Sequence, residues 1–272
     1  LDAVLGGGIN RYDGDHFGEI IWMQYADNVN IRDRYYDNNA VKDDRNIYLK
    51  GTYEASEGLF LFGDLQYRGV DYRFDGLNND LRNVSGNVSY NFFNPKFGLT
   101  YQTSSGNSLY ASYAVANREP VRRDFTDSPI VVRAPQAENL QNIEAGIKAN
   151  TSKYSYNVNF YYMNYNNQLV LTGQLNDVGA YVRDNVANSY RAGIEIDGAY
   201  KISPKFTLGG NLAISRNKIA EFTEYIDDYS AAEFFQEEIT YTDTDIAFSP
   251  NAVASAILDY KPSKNFEISL LN

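Results

Sequence analysis

Apolar or aromatic residues recur at every second position through segments of about ten residues, and short turns alternate with long polar stretches between those segments. Period two is the signature of a strand with two unlike faces. Over Tyr154 to Asn164, residues Tyr154, Tyr156, Val158, Phe160 and Tyr162 share one face, and Ser155, Asn157 and Asn159 the other. Phe206 to Lys218 repeats the pattern with Phe206, Leu208, Leu212 and Ile214 against Thr207, Asn211, Ser215 and Asn217. Ile47 to Tyr53, Phe97 to Tyr101 and Ile143 to Ala149 follow it more briefly. Alternation alone fits a soluble sandwich, with the apolar face as core, and a membrane barrel, with the apolar face toward lipid and the polar face lining the lumen.

The punctuation separates the two. Tight turns are predicted at Ser56-Glu57-Gly58, Ser104 to Asn107, Thr151 to Lys153, Ser203 to Lys205 and Lys261 to Asn265, each rich in Gly, Pro, Asn or Ser. Long loops are predicted at Asp13 to Asp44, Asp71 to Asn91, Arg118 to Asn139, Leu169 to Asn188 and Glu221 to Asp245. Compact soluble domains rarely carry several loops of that length, whereas outer-membrane barrels have short periplasmic turns and long extracellular loops. Tyr53, Tyr67, Tyr101, Tyr113, Tyr154, Tyr162, Tyr200 and Tyr260 fall near strand ends, where aromatic girdles belong.

The expected fold is therefore all-β: an antiparallel transmembrane β-barrel of about 11 strands, with a further hairpin around His16 to Gln24 standing above the membrane. Residues 1–272 form part of one barrel domain. Strands are expected to be open at Leu1 and Asn272, and open edges in lipid cost several kcal/mol per unpaired backbone group. That expectation makes the segment about half of a larger barrel. A complete twelve-strand barrel serving as pore, anchor or adhesin is the rival, and it requires the first and last strands to pair.

Composition narrows the classes of function. With 272 residues, a net charge of -11, 24 Tyr and 15 Phe, the chain lacks the basic face of a nucleic-acid binder. No apolar run approaches the roughly 18 residues of a transmembrane helix. Negative mean hydropathy is compatible with a barrel, because only alternate residues face lipid. The absence of Cys excludes disulfides and thiolate metal sites. Leu1 to Ile9 reads as strand and has no basic leader of a signal peptide.

Four stretches resemble the TonB-dependent outer-membrane receptors, with the strongest likeness to those of Bacteroidetes: Asn94 to Gln102, Ser108 to Asp127, Glu138 to Ala149 and Asn167 to Asp197. The resemblance runs from Gly6 to Tyr260. It implies a plugged barrel of about 22 strands, of which this segment would be about the second half, without the plug, the TonB box or the closing strand. It also implies a bacterial outer-membrane location, contact with lipid, coupling to the TonB complex through the plug and box, and active import of a scarce small molecule. A ferric siderophore or other iron chelate is the favoured cargo, with glycans and vitamin B12 as alternatives.

The candidate chemistry lies in the loops. Arg118, Arg122, Arg123 and Arg133 cluster in one loop, and Tyr181 and Arg183 lie in the next. Guanidinium forks suit a carboxylate or phosphate on a ligand, so Arg118, Arg122, Arg123, Tyr181 and Arg183 are the expected ligand-binding residues. The alternative is that Arg118 and Glu119 pair with lumen charges and hold structure. The stretch Glu221 to Asp245 is acidic throughout and reads as a solvated loop or a divalent-cation site. Asp13, Asp15, His16 and Glu19 offer oxygen ligands and one imidazole, but their spacing fits no zinc pattern, and a polar turn is the better reading. No GxSxG elbow is present. No enzyme, cofactor or bound metal is expected.

Overall fold

The computed structural model describes the chain apart from residues 26, 27, 80, 127–133, 176–180, 229 and 231–234. Its strands are β1 (Asp2–Glu19), β2 (Arg34–Ser56), β3 (Leu59–Gly76), β4 (Gly86–Gln102), β5 (Asn107–Arg118), β6 (Glu138–Asn150), β7 (Tyr154–Leu175), β8 (Tyr181–Ser203), β9 (Phe206–Asp228), β10 (Phe235–Asp245), β11 (Ala252–Ser263) and β12 (Phe266–Leu271). One short helix, α1 (Arg122–Thr126), follows β5. All described strands join one 12-stranded antiparallel sheet in chain order, except that β10 pairs with β9 off the main path and β11 continues the sheet from β9. The sheet is not closed: among the described residues β1 pairs with β2 and β12 with β11, and the two do not meet.

Registers assemble the alternating positions into one band on the outward face. Leu61 faces Leu99 and Tyr67 faces Phe93, Val158 faces Ile196 and Phe160 faces Ile194, and Ile194 and Ile196 face Ile214 and Leu212. Apart from half-buried Val158, these large apolar side chains are exposed, and among the described residues no second sheet covers them, which rules out the sandwich. Aromatics border the band. Near the tight turns Tyr154 faces Tyr200, and Phe206 stacks on Tyr260 at 4.4 Å. At the opposite border lie Tyr67, Phe93, Tyr113 and Tyr162. Tyr154 and Tyr162 are separated by about 27 Å along β7 at ~3.4 Å per residue. A strand tilted by about 45° spans a bilayer core with 9–11 residues, close to that separation.

Serine and threonine shape the tight turns. Thr151 Oγ1 accepts the Tyr154 N–H at 3.0 Å, Ser203 Oγ accepts the Phe206 N–H at 3.2 Å, and Thr103 Oγ1 accepts the Asn107 N–H at 3.1 Å. A side-chain oxygen thereby replaces a backbone acceptor at the point of reversal. On the lumen face, tyrosines lie over glycines. A Cβ on Gly193 would sit 2.7 Å from the Tyr161 hydroxyl and 2.6 Å from the Ile214 carbonyl, so the ring supplies the packing the glycine lacks.

Strands run much further than the alternation predicts. The stretches expected as loops over Asp13 to Asp44, Asp71 to Asn91, Leu169 to Asn188 and Glu221 to Asp245 are largely strand, as β1 with β2, β3 with β4, β7 with β8, and β9 with β10 continue upward as paired hairpins. Beyond the lipid no continuous apolar surrounding lies along one face of a hairpin, so the backbone ladder persists while the regular apolar alternation ends. His16 accordingly lies inside β1, opposite Asn38, and not in a separate hairpin.

Candidate functional site

The described part of the β5–β6 connection holds no strand, and it folds inward across β2 and β3. Phe125 of α1 packs on Phe74 with ring centroids 5.5 Å apart, beside buried Ala40 and Tyr72. A partly buried salt-bridge cluster, with Glu119 its most buried member, fastens the start of the loop. Glu119 accepts hydrogen bonds from Lys42 Nζ at 2.6 Å, Arg68 Nη1 at 2.8 Å and Arg68 Nη2 at 2.9 Å. The same Arg68 donates to Asp44 through Nε at 3.0 Å and Nη2 at 2.5 Å. One guanidinium fork thus joins two carboxylates. Burial alone would raise the Glu119 carboxyl, but the hydrogen bonds from Arg68 and Lys42 outweigh it and hold it below the usual carboxylate range.

The helix that follows is capped by its own acid, since Asp124 Oδ2 accepts the Val121 N–H at 2.8 Å. Arg122 donates from Nη2 to Asn38 Oδ1 at 2.7 Å. Arg183 of β8 approaches Asp124 Oδ1 at 3.6 Å, bringing the second predicted loop against the first. Gln136 and Asn185 reinforce this junction, with the Gln136 N–H donating to Asn185 Oδ1 at 2.7 Å and Asn185 Nδ2 to the Gln136 carbonyl at 3.0 Å.

The predicted ligand-binding residues therefore divide. Arg122, Arg123 and Arg183 gather around α1. Arg118 stands at the loop's base, its Nε 2.6 Å from Glu138 Oε2; the other oxygen of Glu138 accepts the Leu169 N–H at 2.7 Å. That contact ties β5, β6 and β7 together. Tyr181 opens β8 with its side chain exposed. Arg133 lies outside the described residues. Arg118 and Glu119 thus each pair with charges on the strands. Lys42, Asp44 and Arg68 escaped the sequence reading. Lys42 and Asp44 share a strand face, but Arg68, which joins Asp44 to Glu119, lies on the next strand and Glu119 on a distant loop, and no local pattern encodes those contacts.

The remaining candidates have local partners. Asp13 and Asp15 both accept from Asn39 Nδ2, at 2.9 and 3.0 Å, as cross-strand pairs of β1 and β2. Burial, and then the field of Arg122, lower the His16 imidazole, with Asp15 acting the other way. The acidic stretch is the β9–β10 hairpin, at whose base Lys218 meets Asp245 at 2.8 Å and Arg216 meets Asp243 at 3.0 Å.

Residues 2–271 match the family model described as TonB dependent receptor-like, beta-barrel. The chain belongs to this family. TonB-dependent receptor barrels reside in the bacterial outer membrane, take up small-molecule ligands in concert with TonB, and are transporters and receptors, not enzymes. Solved TonB-dependent receptors share the fold. The FrpB iron transporter from Neisseria meningitidis is 20% identical with a TM-score of 0.56, over 85% of this chain and 32% of that one. The siderophore receptor PiuA from Acinetobacter baumannii is 16% identical with a TM-score of 0.65, over 85% and 33%. The copper transporter OprC is 14% identical with a TM-score of 0.66, over 99% and 48%. The chain thus spans between a third and a half of the length of these structures. No curated protein matches it.

Proposed function

We propose that this chain forms about half of the barrel of an outer-membrane receptor that imports an iron chelate, such as a ferric siderophore, with energy supplied through TonB. The observation that supports the reading is the inward-folded β5–β6 loop, whose α1 carries Arg122 and Arg123 and meets Arg183 of β8 through Asp124; in this reading an anionic complex arriving from outside meets these guanidinium forks. Arg118 and Tyr181 add further contacts. The printed descriptions of FrpB as an iron transporter and PiuA as a siderophore receptor support the choice of cargo. The unpaired edges of β1 and β12 support a larger barrel, since lipid leaves open backbone groups unsatisfied. The single domain of this reading is residues 1–272, with plug and remaining strands supplied by the rest of the receptor.

Deleting the gene that encodes the receptor tests this directly. Under iron limitation the deletion strain is expected to lose uptake of radiolabelled iron from at least one ferric siderophore, and expression of the gene is expected to rise. Expression that responds only to the carbon source, with iron uptake intact, would overturn the iron assignment.

A further inference from the structure

A cavity of about 290 Å³ lies at the junction of β7, β8 and β9, walled by Leu169 and Leu171, Arg183, Ile219, Phe222 and the segment from Thr244 to Phe248. Its size suits one ring-sized group, at the lower end of the roughly 300–1,000 Å³ of small-molecule pockets. Leu169, Ile219 and Ile246 are nearly buried and give it apolar walls. Arg183 is the cation on the wall, and its 3.6 Å approach to Asp124 is longer than a hydrogen bond. Asp245, the acid on the wall, is held by Lys218 at 2.8 Å.

Phe248 is a second, independent observation. Its side chain is 97% exposed, and its backbone is left-handed, with φ of 57°. For a bulky residue that conformation is strained. Slack in the chain does not explain it, because the flanking residues are tied down. The Ile246 N–H donates to the Asn217 carbonyl at 3.1 Å, and Arg191 Nη1 donates to Ser249 Oγ at 2.7 Å. A ring held exposed in a strained backbone beside an apolar cavity is placed to cover something in it.

We propose that this cavity is a subsite for one aromatic ring bearing an ionised oxygen, as a catecholate or aryl-carboxylate arm of a ferric chelate would provide. The ring lies against Phe222 and Phe248, and its oxygen accepts from Arg183. This assignment rests on the import reading and names the chelate class within it. The neighbouring polar cleft shares Val170 and Phe222 as its wall but presents Asp184 and Glu221 with no Lys or Arg, so an anionic arm is directed to the Arg183 side.

The test titrates the full-length receptor in detergent with salicylate, with cyclohexanecarboxylate as a charged probe without an aromatic ring and acetohydroxamate as a chelating probe without one, followed by saturation-transfer NMR. Salicylate is expected to bind with a Kd of about 1 mM, as its few heavy atoms allow, and the two controls at least about tenfold more weakly. Arg183→Gln is expected to weaken salicylate about tenfold, the scale of one charge-assisted hydrogen bond, and Arg183→Lys less. Phe248→Ser, at an exposed position, is expected to weaken it without lowering the thermal midpoint. Equal binding of salicylate and cyclohexanecarboxylate overturns the proposal. So does an Arg183→Gln variant with unchanged affinity, or a Phe248→Ser variant that loses thermal stability but keeps salicylate, the behaviour of a membrane-interface anchor. A receptor that imports ferric hydroxamates but no aryl-bearing chelate sinks the subsite alone, whereas one that imports no iron chelate sinks the import reading.

Discussion

Arginine in place of Phe160 is expected to destabilise the folded receptor by about 2–4 kcal/mol, whereas arginine in place of its neighbour Asn159 is expected to cost about 1 kcal/mol. Phe160 stands exposed in the middle of the outward band, opposite Ala145 and Ile194. A guanidinium there would sit at the depth where lipid penalises charge most. Asn159 is on the lumen face, where its Oδ1 accepts from the Tyr110 hydroxyl at 3.0 Å. The substitution removes that hydrogen bond but leaves the new charge in a polar, solvated space. Urea unfolding of the full-length receptor, reconstituted in vesicles and followed by heat-modifiable mobility, measures both. Equal costs at the two positions would mean that the apolar band does not meet lipid.

Glu119→Gln is expected to loosen the inward-folded loop by about 2 kcal/mol. Removing one partner from a buried ion pair costs about 3–5 kcal/mol when the other charges are left without compensation. Here Arg68 keeps Asp44, and Lys42 is a third exposed, so the smaller figure applies. Amides of residues 118–126 should exchange roughly thirtyfold faster in the variant, the factor that corresponds to that energy. The wild-type loop should also loosen in acid. Because the folded-state Glu119 carboxyl is depressed, its contribution is complete above the ordinary carboxylate pKa and is lost as pH falls through the lower, folded value. Glutamine does not titrate, so the variant's exchange should lack this acid-dependent step. Identical pH profiles for the two proteins would remove Glu119 from its role as the fastening.

What could be read from the residues was what lipid imposes. The alternation of Tyr154 to Tyr162 became the outward face of β7, and the turns expected at Ser56, Ser104, Thr151 and Ser203 are where the sheet reverses, because both features depend on local chemistry. The upper halves of the strands were illegible for the complementary reason. From Asp13 to Glu19 and from Arg34 to Asp44 the chain is paired as strand, yet without lipid along one face the period-two signal that reveals a strand is lost. The described sheet has 12 strands and not about 11, because β10, inside the stretch expected as an acidic loop, is a hairpin partner of β9. At the candidate site, the grouping of Arg122 with Arg183 across separate loops, and the hold of Lys42 and Arg68 on Glu119, depend on how hairpins lean together. Such contacts at long sequence separation leave no periodic trace.

The tight turns are expected to face the periplasm and the long hairpins the outside, with the band between them crossing the outer membrane. Because the chain contains no Cys, single cysteines can report each position within it. Glu57→Cys, in the turn between β2 and β3, and Glu237→Cys, on the β9–β10 hairpin, are introduced singly into the full-length receptor, whose other cysteines, where present, are replaced. Intact cells are then treated with a membrane-impermeant maleimide. The cysteine at 237 is expected to react in intact cells, and the cysteine at 57 only after the outer membrane is permeabilised. Labelling at 57 in intact cells, or protection at 237 until permeabilisation, would exclude this orientation.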